Sequence, residues 1–354
     1  MVGKSSMKAA VLIEPERMVL EDRAVPALEP GSVLIRVRAC AICGSDIRIF
    51  HSGNSRVRLP AVMGHETAGD VVAVGEFVTK FSPGDRVAVG ADVPCGECEY
   101  CEAGFGNNCP VNYAMGYQFD GGFAEYVLLN RTVVQYGPVH RIPDHVTYDE
   151  GAMAEPLACV LNALNLTGIC LGDTVVIIGA GPIGCMMIPA IRRMGAGKII
   201  VIQRSRPRLE QARQFGADLY FSTEVEEPIS RVLAETQGIG AHVVITANGN
   251  PDTQPEALAM VRNRGRVNFF GGLPADRSKV TLDTNLIHYK ELTVTGAHGS
   301  TPAQHGKAVS LIADGLISVG NFISHRFPLD RIHEAFKVAE SHRGMRVVIQ
   351  PWQE

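Results

Sequence analysis

The sequence has no marked excess of charge of either sign: 33 basic and 37 acidic side chains nearly cancel, leaving a formal charge of −4. It has no basic block and no stretch where arginines interleave with aromatic residues, so the electrostatic footprint of a nucleic-acid partner is missing. It has no apolar run long enough to span a bilayer. Its opening, MVGKSSMKAA, lacks the continuous hydrophobic stretch of an export signal. These absences predict a cytoplasmic protein with neither a nucleic-acid nor a membrane partner. What is present is ample apolar material, 46% of 354 residues. At about 100–200 residues per domain, that length predicts two domains with cores of their own.

The two parts differ in pattern. Up to about residue 155 the chain reads as strands and turns: VLIRVRACAI (33–42), GDVVAVG (69–75), DRVAV (85–89) and EYVLLN (125–130), separated by glycines. This predicts a compact, partly closed β domain. After Pro156 the pattern changes to buried strands alternating with amphipathic helices. TVVIIG (174–179), KIIVIQ (198–203), HVVITAN (242–248) and RVNFFGG (266–272) are the strands, which predicts a parallel sheet covered on both faces. Pro189 and Pro207 are expected to interrupt or begin helices here. Beyond about residue 295 the rhythm is lost.

Nine cysteines are unevenly placed. Cys159, Cys170 and Cys185 sit among apolar residues, where packing accounts for them. Cys95, Cys98, Cys101 and Cys109 form C-x2-C-x2-C-x7-C, and in a long chain without a secretion signal this favours metal thiolates over disulfides. Four thiolates surround zinc and leave no position for water, so the group predicts a structural metal. An iron–sulfur cluster takes similar ligands and is the alternative.

A second, dispersed set consists of Cys43, His65, Glu66 and Glu155. Cys43 offers a thiolate and His65 an imidazole, while Glu66 or Glu155 offers an oxygen or holds a metal-bound water. Zinc accepts all three ligand types, and an open fourth position suits Lewis-acid chemistry on an alcohol or carbonyl oxygen. Singly, His65 reads equally as a core histidine and Cys43 as a small apolar filler. Their settings, CGSD and GHE, are glycine-containing turns that suit ligand presentation.

Gly179, Gly181 and Gly184 make G-x-G-x-x-G, with Pro182 and Ile183 inside it, between a strong strand and a helix. That context predicts a dinucleotide site, with the pyrophosphate at the helix amino terminus. The second strand ends at Gln203 rather than at the acid that takes the ribose hydroxyls of NAD, and Arg204, Ser205, Arg206 and Arg208 follow. Guanidinium groups suit a ribose phosphate, so NADP is expected over NAD, with Gln203, Arg204, Ser205 and Arg208 at the phosphate.

Together CGSD (43–46), GHE (64–66), the four-cysteine group, EPL (155–157), GAGPIG (179–184) and HRFPL (325–329) resemble the zinc-containing medium-chain dehydrogenase superfamily, especially its sorbitol/polyol branch. The resemblance covers almost the whole chain. It implies a mainly β, GroES-like catalytic domain from 1–155 and 295–354 around a Rossmann domain at 156–294, with reaction in the cleft between them. It implies Cys43, His65 and Glu66 as catalytic zinc ligands, Glu155 on zinc or its water, and Ser45 hydrogen-bonded to the reacting oxygen. The implied substrate is a small polyhydroxylated alcohol or its ketone, and the implied assembly a homotetramer or homodimer. Three departures stand out. Arg48 replaces a relay histidine, with His51 nearby; Gln203 replaces an acid; and AHGS after Gly296 replaces an aromatic-and-arginine segment. Phe50, Phe119 and His298 are candidates for the substrate side, and Arg48, Arg56 and Arg58 for an anionic substrate. The expected activity is oxidation of a secondary hydroxyl of a polyol or cyclitol. The alternatives are a polyol-phosphate or L-threonine dehydrogenase, or a redox-inactive nucleotide-binding protein.

Overall fold

The structure is a computed structural model and describes residues 5–352; residues 1–4, at the start of the opening segment, and 353–354, at the end of the closing one, lie outside the described residues. The chain divides into two compact units, one from Met1–Ala158 with Gly299–Glu354, the other Cys159–His298. No helix among the described residues is long and apolar enough to cross a membrane.

The first unit is built on a seven-stranded sheet. Its order is Val139–Arg141, Arg86–Val89, Glu66–Val74, Val33–Ala41, Arg346–Ile349 and Ile323–Phe327, with Tyr126–Leu129 also paired to Val33–Ala41. Val33–Ala41 is the hub: nearly every residue in it is buried, as expected of a strand covered on both faces. A hairpin, Ser6–Glu14 with Arg17–Ala24, packs on the same core; none of the strands read from the sequence precedes residue 33. The closing segment, without clear periodicity in the sequence, supplies two helices and two strands. Its last strand pairs antiparallel with the hub, Val348 opposite Ala41 and Ile349 opposite Cys40.

The second unit is a six-stranded parallel sheet. Numbered in chain order, Thr174–Ile178, Lys198–Gln203, Leu219–Ser222, Ala241–Thr246, Val261–Phe269 and Thr293–Gly296 lie in the order 3-2-1-4-5-6. This is the doubly wound dinucleotide-binding order, whose strand sequence reverses beside the first strand. The first two strands are buried along almost their whole length. Pro189 does not end its helix, which runs from Pro182 to Arg193; burial of Met186, Met187, Ile188, Ala190 and Ile191 holds the turn despite the missing donor. Pro207 stands in the first turn of Arg206–Ala212, where no intrahelical donor is needed.

Within the first unit, the helix Pro302–Ala313 of the closing segment docks on Val139–Arg141 through two imidazoles, His140 Nδ1 and His305 Nδ1 being 2.9 Å apart. The approach depends on two glycines: a Cβ at Gly90 would stand 2.8 Å from His305, and one at Gly306 2.8 Å from His140. Burial, reinforced by the charge of His140, brings His305 down to about 3. Burial and nearby Lys80 bring His140 down to about 4. Both are therefore neutral in the folded state, while an unfolded imidazole protonates near pH 6.5. The pair's stabilisation is complete above that pH and is lost as pH falls, by roughly 2 kcal/mol at pH 5 for one such imidazole. Urea unfolding at pH 7.5 and pH 5 should show this loss in the wild type and a smaller one in the double variant His140→Gln, His305→Met. Equal losses would contradict the assignment.

Candidate active site

Cys43 lies just before the helix Gly44–Ser52, in extended conformation, and its backbone N–H donates to Asp46 Oδ2 at 2.9 Å. CGSD is thus a helix start with an acid in the first turn, not a simple turn. Glu66 opens the strand Glu66–Val74 and His65 immediately precedes it. Gly64 makes the corner at φ +95°, where a Cβ would lie 2.7 Å from Cys40 Sγ. Glu155 stands in the first turn of Ala154–Thr167.

These elements bring Cys43, His65 and Glu66 together, with one donor atom of each within 4.8 Å of the others. Ser45 Oγ is 3.3 Å from His65 Nε2, and Asp46 Oδ1 is 3.3 Å from the ring's Nδ1. A carboxylate on one imidazole nitrogen leaves the other as the ligand nitrogen, the usual support of a metal-binding histidine. Glu66 Oε1 faces Arg346 Nη2 at 3.0 Å, while Oε2 is buried without a hydrogen-bond partner. Glu155 is buried nearby but stays outside the group whose donor atoms converge.

Burial alone would raise the Cys43 thiol, but the hydrogen bond and charge of His65, with the Arg346 guanidinium, bring it down to about 5. Burial raises Glu66 well above the usual carboxylate range against the attraction of Arg346. Burial likewise lifts Glu155 to about 7, against the charge of His65. A ready thiolate, a tethered imidazole and a buried carboxylate oxygen without a donor fit a divalent zinc ion.

The four cysteines of the excursion also converge, their sulfurs all within 4.8 Å of one another. Three of the separations are 3.4, 3.8 and 3.8 Å. Sulfurs around a tetrahedral zinc stand about 3.8 Å apart, given bonds of about 2.3 Å. Gly96 and Gly104, both at φ +84°, turn the loop between the ligands. The donor set fits a closed structural site, with no side chain left over for chemistry.

In the second unit, Gly181 precedes the helix Pro182–Arg193 with Pro182 in its first turn and Ile183 next to it. Gly179 has φ +122°, and a Cβ there would meet the Ala247 carbonyl oxygen at 2.6 Å. At Gly184 a Cβ would strike the Gly179 carbonyl, whereas at Gly181 it would meet no atom within 4 Å. Gly179 and Gly184 thus shape the turn, and Gly181 leaves the open cradle that a pyrophosphate fits. Gln203 Oε1 accepts from the Ala180 N–H at 3.0 Å, and Arg208 Nε donates to the Ala180 carbonyl at 3.0 Å. The expectation that Arg208 projects toward a phosphate differs from this placement: the side chain is buried, folded back under the glycine loop with Nη1 on Gln211. Arg204 and Arg206 are exposed, and Ser205 caps the helix Arg206–Ala212 in position without a side-chain cap bond.

His51, Phe50, Phe119 and His298 lie as follows. His51 is held on the surface between Glu16 and Glu340. Phe50 and Phe119 pack against the core of the first unit, and His298 is exposed. The sequence reading missed Asp46, Arg346 and Tyr117. Asp46 carried a signal, as an acid at the third helical position after Cys43. Arg346 carried none, since it comes from a distant strand. Tyr117 lies with its ring 5.9 Å from that of His65, and burial raises its phenol against the charge of that imidazole.

Comparison with known proteins agrees with both halves. Residues 29–143 match the alcohol dehydrogenase GroES-like domain, and residues 182–314 the zinc-binding dehydrogenase domain. The chain is 32% identical over 352 residues to a sorbitol dehydrogenase of Bacillus subtilis, covering 98% of each. It is 35% identical over 332 residues to an L-threonine 3-dehydrogenase of Bacillus licheniformis, covering 92% of this chain and 93% of that one. A structure from Sinorhizobium meliloti 1021, described as a zinc-binding dehydrogenase bound to NADP, superimposes with a TM-score of 0.90 at 31% identity, over 98% of this chain and all of that one. The β-rich unit is therefore GroES-like and the parallel-sheet unit a Rossmann domain, and the chain belongs to the zinc-containing medium-chain dehydrogenase superfamily, in its polyol dehydrogenase branch, as an NAD(P)-linked alcohol or polyol dehydrogenase.

Proposed function

We propose that this enzyme oxidises a secondary hydroxyl of a polyol or cyclitol, reversibly and with NADP as the preferred hydride acceptor. The observation that carries the reading is the convergence of Cys43, His65 and Glu66 beside the Ser45 hydroxyl. A zinc ion held by these three residues supplies Lewis acidity to the substrate oxygen, and NADP supplies the hydride acceptor. Ser45 Oγ accepts a hydrogen bond from the reacting hydroxyl and takes its first step of proton release. Asp46 fixes the imidazole of His65 through Nδ1 and fixes Cys43 through its backbone N–H, so two ligands share one support. Arg346 compensates the Glu66 carboxylate in a place closed to water. Glu155 lies beside this group as a buried acid near neutrality, suited to holding a water or exchanging with a ligand. A second zinc held by Cys95, Cys98, Cys101 and Cys109 serves the fold alone.

The preference for NADP rests on the absence of an acid at Gln203 and on Arg204, exposed and without an ion pair among the described residues. A ribose phosphate gains a charge-assisted hydrogen bond there, whereas a carboxylate would repel it.

A screen of polyols, cyclitols and threonine with each cofactor tests the activity itself; turnover of threonine with no polyol would overturn the reading. Cys43→Ala should lower kcat/KM by roughly a thousandfold, as removal of several kcal/mol of Lewis-acid stabilisation implies, with little change in far-ultraviolet circular dichroism. Cys98→Ser should instead lower the Tm and the yield of folded protein, because its metal fixes a loop. Retained activity in the first variant, or an unchanged Tm in the second, would reverse the assignment of the two sites.

The two arginines should separate in cofactor titrations followed by fluorescence. Arg204→Ala should raise the NADP Kd about tenfold and leave NAD binding nearly untouched. Arg208→Ala should weaken both cofactors alike, because the lost bond belongs to the glycine loop and not to the phosphate. A selective loss of NADP in the Arg208 variant would contradict this division.

A further inference from the structure

Arg48, Arg56 and Arg58 lie in the stretch between the ligands Cys43 and His65, and none forms an ion pair among the described residues. Arg48 follows Ser45 by three positions on the helix Gly44–Ser52, so the two share one side of it, and Arg48 is exposed. Arg56 is held more firmly. Its Nη2 donates to the Asn112 carbonyl at 2.5 Å and to Asn112 Oδ1 at 3.2 Å. Its guanidinium carbon lies 5.0 Å from the ring centroid of Tyr117, the ring that stands 5.9 Å from His65.

Fixing an arginine costs side-chain entropy, and no carboxylate offsets it here. The Nε and Nη1 donors of Arg56 have no partner among the described residues. A hydroxyl-only substrate needs no such cation. An oxyanion does: a preoriented guanidinium is the group that binds phosphate or carboxylate with direction as well as charge. The imidazole of His65 and the guanidinium of Arg56 thus neighbour one aromatic ring, at 5.9 and 5.0 Å from its centre, which places the cation beside the residues that would meet the reacting hydroxyl.

We infer that the polyol this enzyme oxidises carries an oxyanion at its far end, a phosphate ester or a carboxylate, and that Arg56 on its Tyr117 and Asn112 support binds that end, with Arg48 adding to the positive field. The inference rests on the polyol reading above and narrows its substrate class.

The test compares D-arabitol, its terminal phosphate ester and D-arabinonate as substrates of the zinc-loaded enzyme with NADP. At least one anionic compound should exceed D-arabitol in kcat/KM by about tenfold, and which of the two does so separates phosphate from carboxylate. Arg56→Gln should lower kcat/KM for that compound about tenfold more than for D-arabitol, through KM, with Arg56→Lys recovering part of the difference. Unchanged melting temperatures of both variants keep the comparison one of binding. A wild type that handles D-arabitol as well as both anions, or a glutamine variant that loses all three equally, overturns the inference while leaving the polyol reading standing. Turnover of none of the three or of any other polyol overturns the polyol reading, and the inference with it.

Discussion

The structure depends on one constraint: several ionisable side chains must share a space closed to water. Cys43, His65, Glu66, Asp46 and Arg346 are each tolerable there only because the others are present. Asp46 and Glu66 are fully buried, and His65 and Arg346 nearly so. Removing one partner of a buried ion pair typically costs about 3–5 kcal/mol, because an uncompensated charge is left behind. This ties the closing segment to the site. Arg346 begins the strand that pairs with the hub strand Val33–Ala41, and its Nη1 donates to the Ile42 carbonyl at 3.0 Å. The sheet completes the charge balance of Cys43, His65 and Glu66, and those buried groups in turn require the sheet to be complete.

Much of this was legible in the sequence, for identifiable reasons. The strand Thr174–Ile178 and the strand Lys198–Gln203 are apolar along their length because both their faces are covered, and that pattern is visible without coordinates. The glycine spacing after the first of them predicts a tight turn with one open position, and a Cβ would be crowded at Gly179 and Gly184 and free of contact at Gly181. The four cysteines were legible because their ligand spacing is local. Less legible was anything that depended on distant segments meeting. Arg346 is a plain arginine until the last strand is placed, and the pairing of His140 with His305 joins positions far apart in the chain.

The second strand's end shows how a rule read from residue types can misplace a side chain. Several arginines after Gln203 suggest several phosphate contacts. The buried guanidinium of Arg208 instead satisfies the Ala180 carbonyl, while Gln203 satisfies the Ala180 N–H. Both backbone groups of the residue between the first two glycines are thus held by side chains from the second strand and helix. Gln203 and Arg208 are taken up by the shape of the glycine loop, and Arg204 is left exposed beside them.

The central claim is that two distinct metal centres exist and that only the open one takes part in hydride transfer. Anomalous diffraction at the zinc edge, on crystals of protein whose activity has been measured, tests it most directly. The account predicts two peaks per chain, one among Cys43, His65 and Glu66 and one among Cys95, Cys98, Cys101 and Cys109. A single peak at the four cysteines in fully active protein would contradict it.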